Sequence, residues 1–326
     1  MNFRDYLNEI IRGRLLQTPL SHSGWLVNAS QSYLEQHKER VFPEFKSREL
    51  TAPELQQALL KVEETLRSER VTKSGAHRLP DWTQGWQENL DALRETSSRE
   101  ALTPRYFRPY TTQQYMGKWI KCEEPEGFEL DFLHNLLCVI LLQVRQELPF
   151  NTLVEFGCGT GHNLVSLASQ LPDLRLIGCD WAPSSQAILS EIATRFNLDI
   201  SGNQFDFFSP KLEIEPGFCA LTVASMEQIG TGFEPFLDFL IRSQPSCVVH
   251  LEPIEELLPD TEPLANISRQ YFKKRNYLSG YLSQLMELEK SQSIEIFSAE
   301  RSGFGSFFIE GYSVIIWRPK TVEQAR

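Results

Sequence analysis

At 326 residues, with 41% hydrophobic and 23% charged positions, the chain is about twice the usual length of one domain and too apolar to be disordered or low in complexity. Its net charge of −11 is the wrong sign for a surface that binds nucleic acid by neutralising phosphates. The longest purely apolar run, residues 136–142, falls far short of the ~18 residues of a membrane span.

The charge is uneven, with −2 over residues 1–150 and −9 over the rest. The opening MNFRDYLNEI is amphipathic and carries acidic as well as basic residues, unlike a secretory or transit leader. Cys122, Cys138, Cys158, Cys179, Cys219 and Cys247 contain no CxxC pair, and four of them lie in or beside apolar, strand-like runs. They read as buried thiols of a reducing compartment, with no disulfide frame and no zinc site. The expectation is a cytoplasmic protein with no metal, no membrane association and no nucleic-acid partner.

In chain order, Phe3, Tyr6, Leu7, Ile10, Ile11 and Leu15 repeat at helical spacing. A second helix is predicted to open at TAPE, where Thr51 and Glu54 form a capping box and Leu55, Leu59, Val62 and Leu66 share a face. Residues 1–105 thus read as a helical N-terminal extension, and its helices are the expected interface of a homodimer. The segment ALTPRYFRPYTTQQYMGKWI is aromatic, punctuated by proline and poorly periodic. An apolar helix, FELDFLHNLLCVILLQVRQEL, follows. The period then shortens: TLVEFG, LRLIGCD, ISGNQFDFF, CALTVASM and SCVVHLEP read as strands, with helices between most of them. Such alternation predicts right-handed βαβ units and an α/β domain with a parallel sheet. The last segments, around SIEIFSAE and YSVIIWRP, read as an antiparallel hairpin joined by a glycine-bearing turn.

The sharpest feature is VEFGCGTGHN, between the first of these strands and a helix. Gly157, Gly159 and Gly161 let the backbone turn tightly and let a ligand approach main-chain N–H groups. A dinucleotide fingerprint needs G-x-G-x-x-G, and its third glycine position holds His162 here, which disfavours NAD and FAD. No Gly-Lys-Ser/Thr follows, which excludes a P-loop.

EFGCGTG followed by GCDWAPSS resembles motif I and the next acidic motif of the class I S-adenosylmethionine (SAM)-dependent methyltransferases. The resemblance spans about residues 125–320. It implies a Rossmann-like, seven-stranded, mostly parallel sheet completed by the C-terminal hairpin, with SAM as cofactor. The domain so defined covers 106–326, with a helical insertion at about 254–292. By that resemblance Glu155 orders the loop, and Gly157, Cys158, Gly159 and Gly161 form it around the amino acid part of SAM. Asp180 binds the ribose hydroxyls, Trp181 lies against adenine, and Asp206, beside Phe207, accepts from the adenine amino group. Tyr110, Gln114 and Tyr115, from the segment before the sheet, are further candidates. The residues agree independently: a carboxylate at a strand's C-terminal edge can accept from vicinal hydroxyls, and ligands of open α/β sheets bind outside those edges.

Methyl transfer is an in-line displacement, so alignment and desolvation matter most, and a base is needed only if the acceptor must lose a proton. Candidates after the fourth and fifth strands are Glu227 with Gln228, His250 and Glu252. Each also has a structural reading: a helix-start carboxylate, a satisfied core histidine, a strand-end carboxylate. In the insertion, RQYFKKRNY gathers Arg269, Lys273, Lys274 and Arg275 with Tyr271 and Tyr277, which suit an anionic acceptor or form a solvated face. Arg301 and Glu310 flank the hairpin turn. The favoured function is methyl transfer to O or N of a small, anionic or sugar-like acceptor. The alternatives are a protein or peptide methyltransferase and a non-catalytic SAM-binding interaction subunit.

Overall fold

The computed structural model describes residues 1–13, 22–104 and 111–320. The chain opens with α1 (Phe3–Ile11), α2 (Trp25–Gln36), β1 (Ser47–Glu49), α3 (Ala52–Arg67) and α4 (Leu79–Thr96). A hairpin of β2 (Thr112–Tyr115) and β3 (Lys118–Cys122) leads into α5 (Phe128–Glu147). Then come β4 (Thr152–Phe156), α6 (His162–Gln170), β5 (Arg175–Asp180), α7 (Pro183–Phe196), β6 (Ile200–Gln204), β7 (Cys219–Val223), α8 (Glu234–Ser243) and β8 (Cys247–Glu252). The chain finishes through α9 (Pro263–Arg275), α10 (Tyr281–Lys290), β9 (Ile294–Glu300), β10 (Phe304–Gly305) and β11 (Ser313–Pro319).

The main sheet has the order β6-β5-β4-β7-β8-β11-β9. Its first five strands are mutually parallel, and β11 runs antiparallel to both β8 and β9. This is a Rossmann-like, seven-stranded, mostly parallel sheet, closed by the expected antiparallel hairpin. Strands buried on both faces need near-continuous apolar runs, and CALTV and CVVHLE supply them, every residue of β7 and β8 being buried. One face packs on α5, α6, α7 and the N-terminal helices, the other on α8 and α10.

The N-terminal helices belong to that first core. Tyr6 meets Phe132 of α5 edge-on at 4.5 Å, and Leu90 and Leu93 of α4 are buried in the same cluster. Glu300 of β9 accepts from the backbone N–H of Trp25 at 2.8 Å and of Leu26 at 3.2 Å. It thereby caps α2, whose N-cap, Gly24, has no side chain for the purpose. The predicted Thr51–Glu54 cap is present, with Glu54 accepting from Thr51 N at 2.9 Å.

Two expectations need correction. The poorly periodic segment contains the β2–β3 hairpin, turning on Met116 (φ 48°) and Gly117 (φ 74°), a pair of left-handed residues typical of a two-residue loop. Its strand TQQY lacks apolar alternation because β2 lies between β3 and β10 in a second sheet of order β1-β3-β2-β10. Pairing, not an apolar face, defines it. On α3 the inward residues are Ala58 and Val62, whereas Leu55 and Leu59 are 43% and 49% exposed. The helix packs only through one narrow stripe onto Trp119, Phe307, Leu264 and Ile267.

Residues 301–312, between β9 and β11, are held by a buried ion cluster. Arg301 Nε donates to Glu310 at 2.9 Å, and its two terminal nitrogens donate to Glu262, before α9, at 3.2 and 3.0 Å. Arg301 and Glu310 are both almost fully buried, so they pair with each other and are not free to bind an acceptor. Removing one partner of a buried pair leaves an uncompensated charge, at a cost of ~3–5 kcal/mol. Arg301→Met is therefore expected to lower the urea unfolding midpoint sharply, and the double change with Glu310→Leu to recover much of the loss.

Candidate functional site

The chain order switches direction across the sheet between β4 and β7, which places the loops after β4, β5 and β7 around one crevice. After β4 the loop 157–161 folds back on β5: Gly157 N and Cys158 N both donate to Cys179 O, at 2.7 and 3.1 Å. Gly157 has φ 76°, and a Cβ there would lie 2.4 Å from Ser225 Cβ; at Gly159, φ 53°, it would lie 2.9 Å from the Trp86 ring. Only glycine fits both the backbone and the space. Gly161 instead backs onto Leu189 of α7.

Asp180 ends β5 and fixes this loop. Its Oδ2 accepts from Gly159 N at 3.0 Å and its Oδ1 from Ala182 N at 2.9 Å. Burial pushes its carboxyl up to about 6, against the pull of those N–H groups. Each oxygen keeps acceptor capacity. Glu155, inside β4, accepts from Asn163 Nδ2 at 2.7 Å and so ties the strand to α6. Burial drives Glu155 up to about 8, the Asn163 bond opposing and the Asp180 charge adding. The Cys158 thiol is buried beneath the loop and raised by that burial.

A cavity of about 60 Å³ opens between Gly157, Asp180, Trp181 and Phe207 on one side and Val223, Ala224, Ser225, Gln228 and Ile229 on the other. Its roof is Trp82 and Trp86 of α4, stacked at 5.4 Å and 27°. Ser184 Oγ, at the start of α7, donates to Thr83 O at 3.1 Å and helps to hold the roof down. Sequence reasoning missed both tryptophans. Their i, i+4 spacing is legible, but it reads equally well as an ordinary core face. Asp206 is half-buried, just outside this lining, and accepts from Phe208 N at 2.9 Å.

Among the described residues, none of the segment before the sheet lines the cavity. Gln114 is buried in the second sheet, its amide 3.4 Å from Phe307 O. Tyr115 pairs with Phe304 and packs on Tyr6 at 6.2 Å. Tyr110 lies outside the described residues.

On the far side, β7 runs into a 3-10 turn, Met226–Ile229. Glu252, fully buried at the end of β8, accepts from Ser225 N at 3.0 Å and Met226 N at 3.1 Å. It shapes this turn and does not face the cavity; burial holds its carboxyl up at about 7. Gln228 lines the cavity, with Nε2 donating to Glu227 at 2.8 Å and Oε1 accepting from Ser74 Oγ at 3.3 Å. Glu227 stands behind Gln228, and burial and then the Glu252 charge drive it up to about 8, while Gln228, Arg275 and Tyr277 pull it down. Arg275 lies over the Tyr277 ring at 5.3 Å. The insertion thus brings Arg275 and Tyr277 to Glu227. Arg269 is occupied elsewhere, bonded to Leu258 O and to Asp260 at 3.0 Å, and Lys273 is exposed.

His250 takes the structural one of its two readings, the satisfied core histidine. It is fully buried, with Nδ1 2.8 Å from Thr222 Oγ1 and Nε2 2.8 Å from Tyr281 Oη and 3.1 Å from Trp317 Nε1. An indole N–H only donates, so Nε2 is the bare nitrogen and Nδ1 carries the proton. Burial lowers this imidazole to about 3. It is a neutral core histidine, screened from the cavity by the strand that carries it.

No family model matches the chain, and no curated protein does. Solved structures do resemble it. The riboflavin-derivative dimethyltransferase RosA from Streptomyces davawensis aligns at TM-score 0.43 and 13% identity, over 83% of this chain and 71% of its own. The S-adenosylmethionine-dependent methyltransferase SibL aligns at 0.43 and 17%, over 82% and 75%. The [4+2]-cyclase SpnF aligns at 0.45 and 14%, over 77% and 98%. At these similarities none of them assigns a reaction to this chain.

Two outcomes follow from the buried groups. Glu155 and Glu227 titrate near 4.3 when unfolded and near about 8 when folded. Between those values the folded state binds more protons, so stability falls as pH rises across the window. Thermal unfolding at pH 5.5 and 8.0 is expected to show that decline, and Glu155→Gln or Glu227→Gln to flatten it. His250→Ala, which strands Thr222, Tyr281 and Trp317, is expected to cost ~2–4 kcal/mol in urea unfolding while leaving ligand affinity at the cavity unchanged.

Proposed function

We propose that this protein binds SAM in the crevice above β4, β5 and β7 and transfers its methyl group to O or N of a small-molecule acceptor. The observation that carries the reading is the meeting of the glycine loop, Asp180 and Trp181 in one cavity at the C-terminal edge of the sheet. The donor set suits the cofactor. Asp180 retains acceptor capacity for hydroxyls, and Trp181 and Phe207 offer apolar faces for a base. The aperture of about 60 Å³ is well below the ~300 Å³ at which ligand pockets begin. Binding therefore requires the rings of Trp82 and Trp86 to move off the glycine loop.

When bound, SAM supplies a methyl group on a sulfonium, an electrophile that needs alignment more than acid–base assistance. Closure of the two rings excludes water from the crevice. Gln228 has both ends of its amide fixed, by Glu227 and Ser74, and keeps one N–H and one lone pair to orient the acceptor atom. Glu227 gains proton-accepting character only in the mildly alkaline range, which favours acceptors that need no prior deprotonation. The roof of α4 supports a small acceptor over a peptide, which would need an open groove. Arg275 is turned to Glu227 and Tyr277 behind Gln228 and does not line the cavity.

The second reading, a SAM-type fold that binds partners without turnover, is favoured by the two indoles filling the crevice. Both readings expect micromolar SAM binding in calorimetric titration, weakened at least about tenfold in Asp180→Asn, and absence of binding by folded protein would overturn both. Methyl transfer separates them: SAM-bound protein that labels no fraction of cell extract supports the second reading. Transfer of labelled methyl to a low-molecular-weight fraction of cell extract is then expected, and label on protein instead would overturn the small-acceptor assignment.

A further inference from the structure

The cavity has an unusual balance of groups. Among the described residues, its lining includes four aromatic side chains, Trp82, Trp86, Trp181 and Phe207, one carboxylate, Asp180, and no lysine or arginine. Aromatic faces carry negative quadrupole potential and attract cations, tryptophan most strongly, and the attraction grows when water is excluded. A carboxylate adds to the same sign. The Trp82–Trp86 stack already holds a cation on its outer side, with the guanidinium of Arg78 5.6 Å from the Trp82 ring centre.

We propose that Trp82 and Trp86 are specificity-determining residues that recognise the positive charge of the ligand, so that the crevice prefers the sulfonium of SAM to the neutral thioether of S-adenosylhomocysteine. This rests on the crevice being the SAM site. A sulfonium has no N–H or O–H to offer, so it is recognised by faces and full charges and not by hydrogen-bond acceptors alone. Two indoles at i, i+4 lie on one face of the helix, so both rings present their faces to a ligand in the crevice. The preference has a kinetic consequence: loss of charge on methyl transfer weakens the hold of the roof on the demethylated product.

The test is calorimetric titration of SAM and of S-adenosylhomocysteine separately into the wild-type chain, Trp86→Leu, Trp86→Phe and Trp82→Leu, with circular dichroism confirming the fold. The wild type is expected to bind SAM at least as tightly as the thioether and to change its tryptophan emission with either. Trp82→Leu and Trp86→Leu are expected to weaken SAM about tenfold and the thioether by less than about threefold. Trp86→Phe, which keeps a ring, is expected to retain most of the preference. Trp82 is only partly buried, so its replacement keeps the test meaningful where Trp86→Leu fails to fold. Equal weakening of both ligands, or none, overturns the charge-recognition role and leaves the SAM site standing. Binding of neither ligand by folded wild-type protein overturns the site itself, and the proposal with it.

Discussion

One carboxylate organises the functional end of this molecule. Asp180 accepts from Gly159 on one oxygen and from Ala182 on the other, so the loop after β4 and the turn after β5 are fixed to each other. Both strands are central and parallel, and neither loop has another side chain that satisfies those amides. The loop after β7 joins through contact instead: Ser225 fills the space that Gly157 leaves, and Glu252 holds Ser225 and Met226 from below. Three successive strand ends are thus locked around one crevice by two buried acids and one missing Cβ. The crevice lies where the order of strands reverses, the one place in such a sheet where adjacent loops diverge enough to admit a ligand.

The N-terminal helices complete that arrangement because they are part of the same core. Glu300 caps α2, Tyr6 donates from its hydroxyl to Ser302 O at 2.9 Å, and Arg94 of α4 meets Glu191 of α7 at 3.0 Å. The first two bonds anchor the beginning of the chain to its last hairpin. The last is exposed and worth little. The helix is held more firmly elsewhere: Leu90 and Leu93 are buried in the core, and Arg195 of α7 donates to Leu93 O at 3.3 Å and to Ser97 Oγ at 2.7 Å. Ser74 N, ahead of α4, donates to Arg275 O at 2.7 Å, so the roof's approach and the acceptor side of the site share a contact.

What was legible in the sequence follows from how each feature is specified. Buried parallel strands announce themselves because both faces demand apolar residues, and EFGCGTG is legible because the loop admits nothing else. Glu227, Arg275 and Tyr277 were found one by one from their places after a strand and in an insertion; that they meet was not visible, because their meeting depends on how α9 packs. His250 stayed open between two readings because a histidine in an apolar strand has the same sequence signature whether it faces a ligand or a Thr–Tyr–Trp pocket. Trp82 and Trp86 were missed for the opposite reason: an aromatic pair on a helix usually means core, and these two belong to the core and line the cavity as well. The β2–β3 hairpin escaped because TQQY is held by strands on both sides and owes nothing to periodicity.

The charges around the crevice make a coherent pattern. Glu155, Asp180, Glu227 and Glu252 are all buried within or beside it, and burial raises every one of them. The cationic side chain named among their electrostatic partners is Arg275, which acts on Glu227 alone and is partly engaged with Tyr277. A cluster of acids so under-compensated holds protons instead of cations, and for that reason the fold loses stability as those protons leave. The same imbalance makes the crevice receptive to a positive ligand: a cation placed among the indoles lowers the cost of ionising the acids behind them. The acid burden that costs stability and the aromatic roof above it thus favour the same kind of guest, one that carries a positive charge without hydrogen-bond donors.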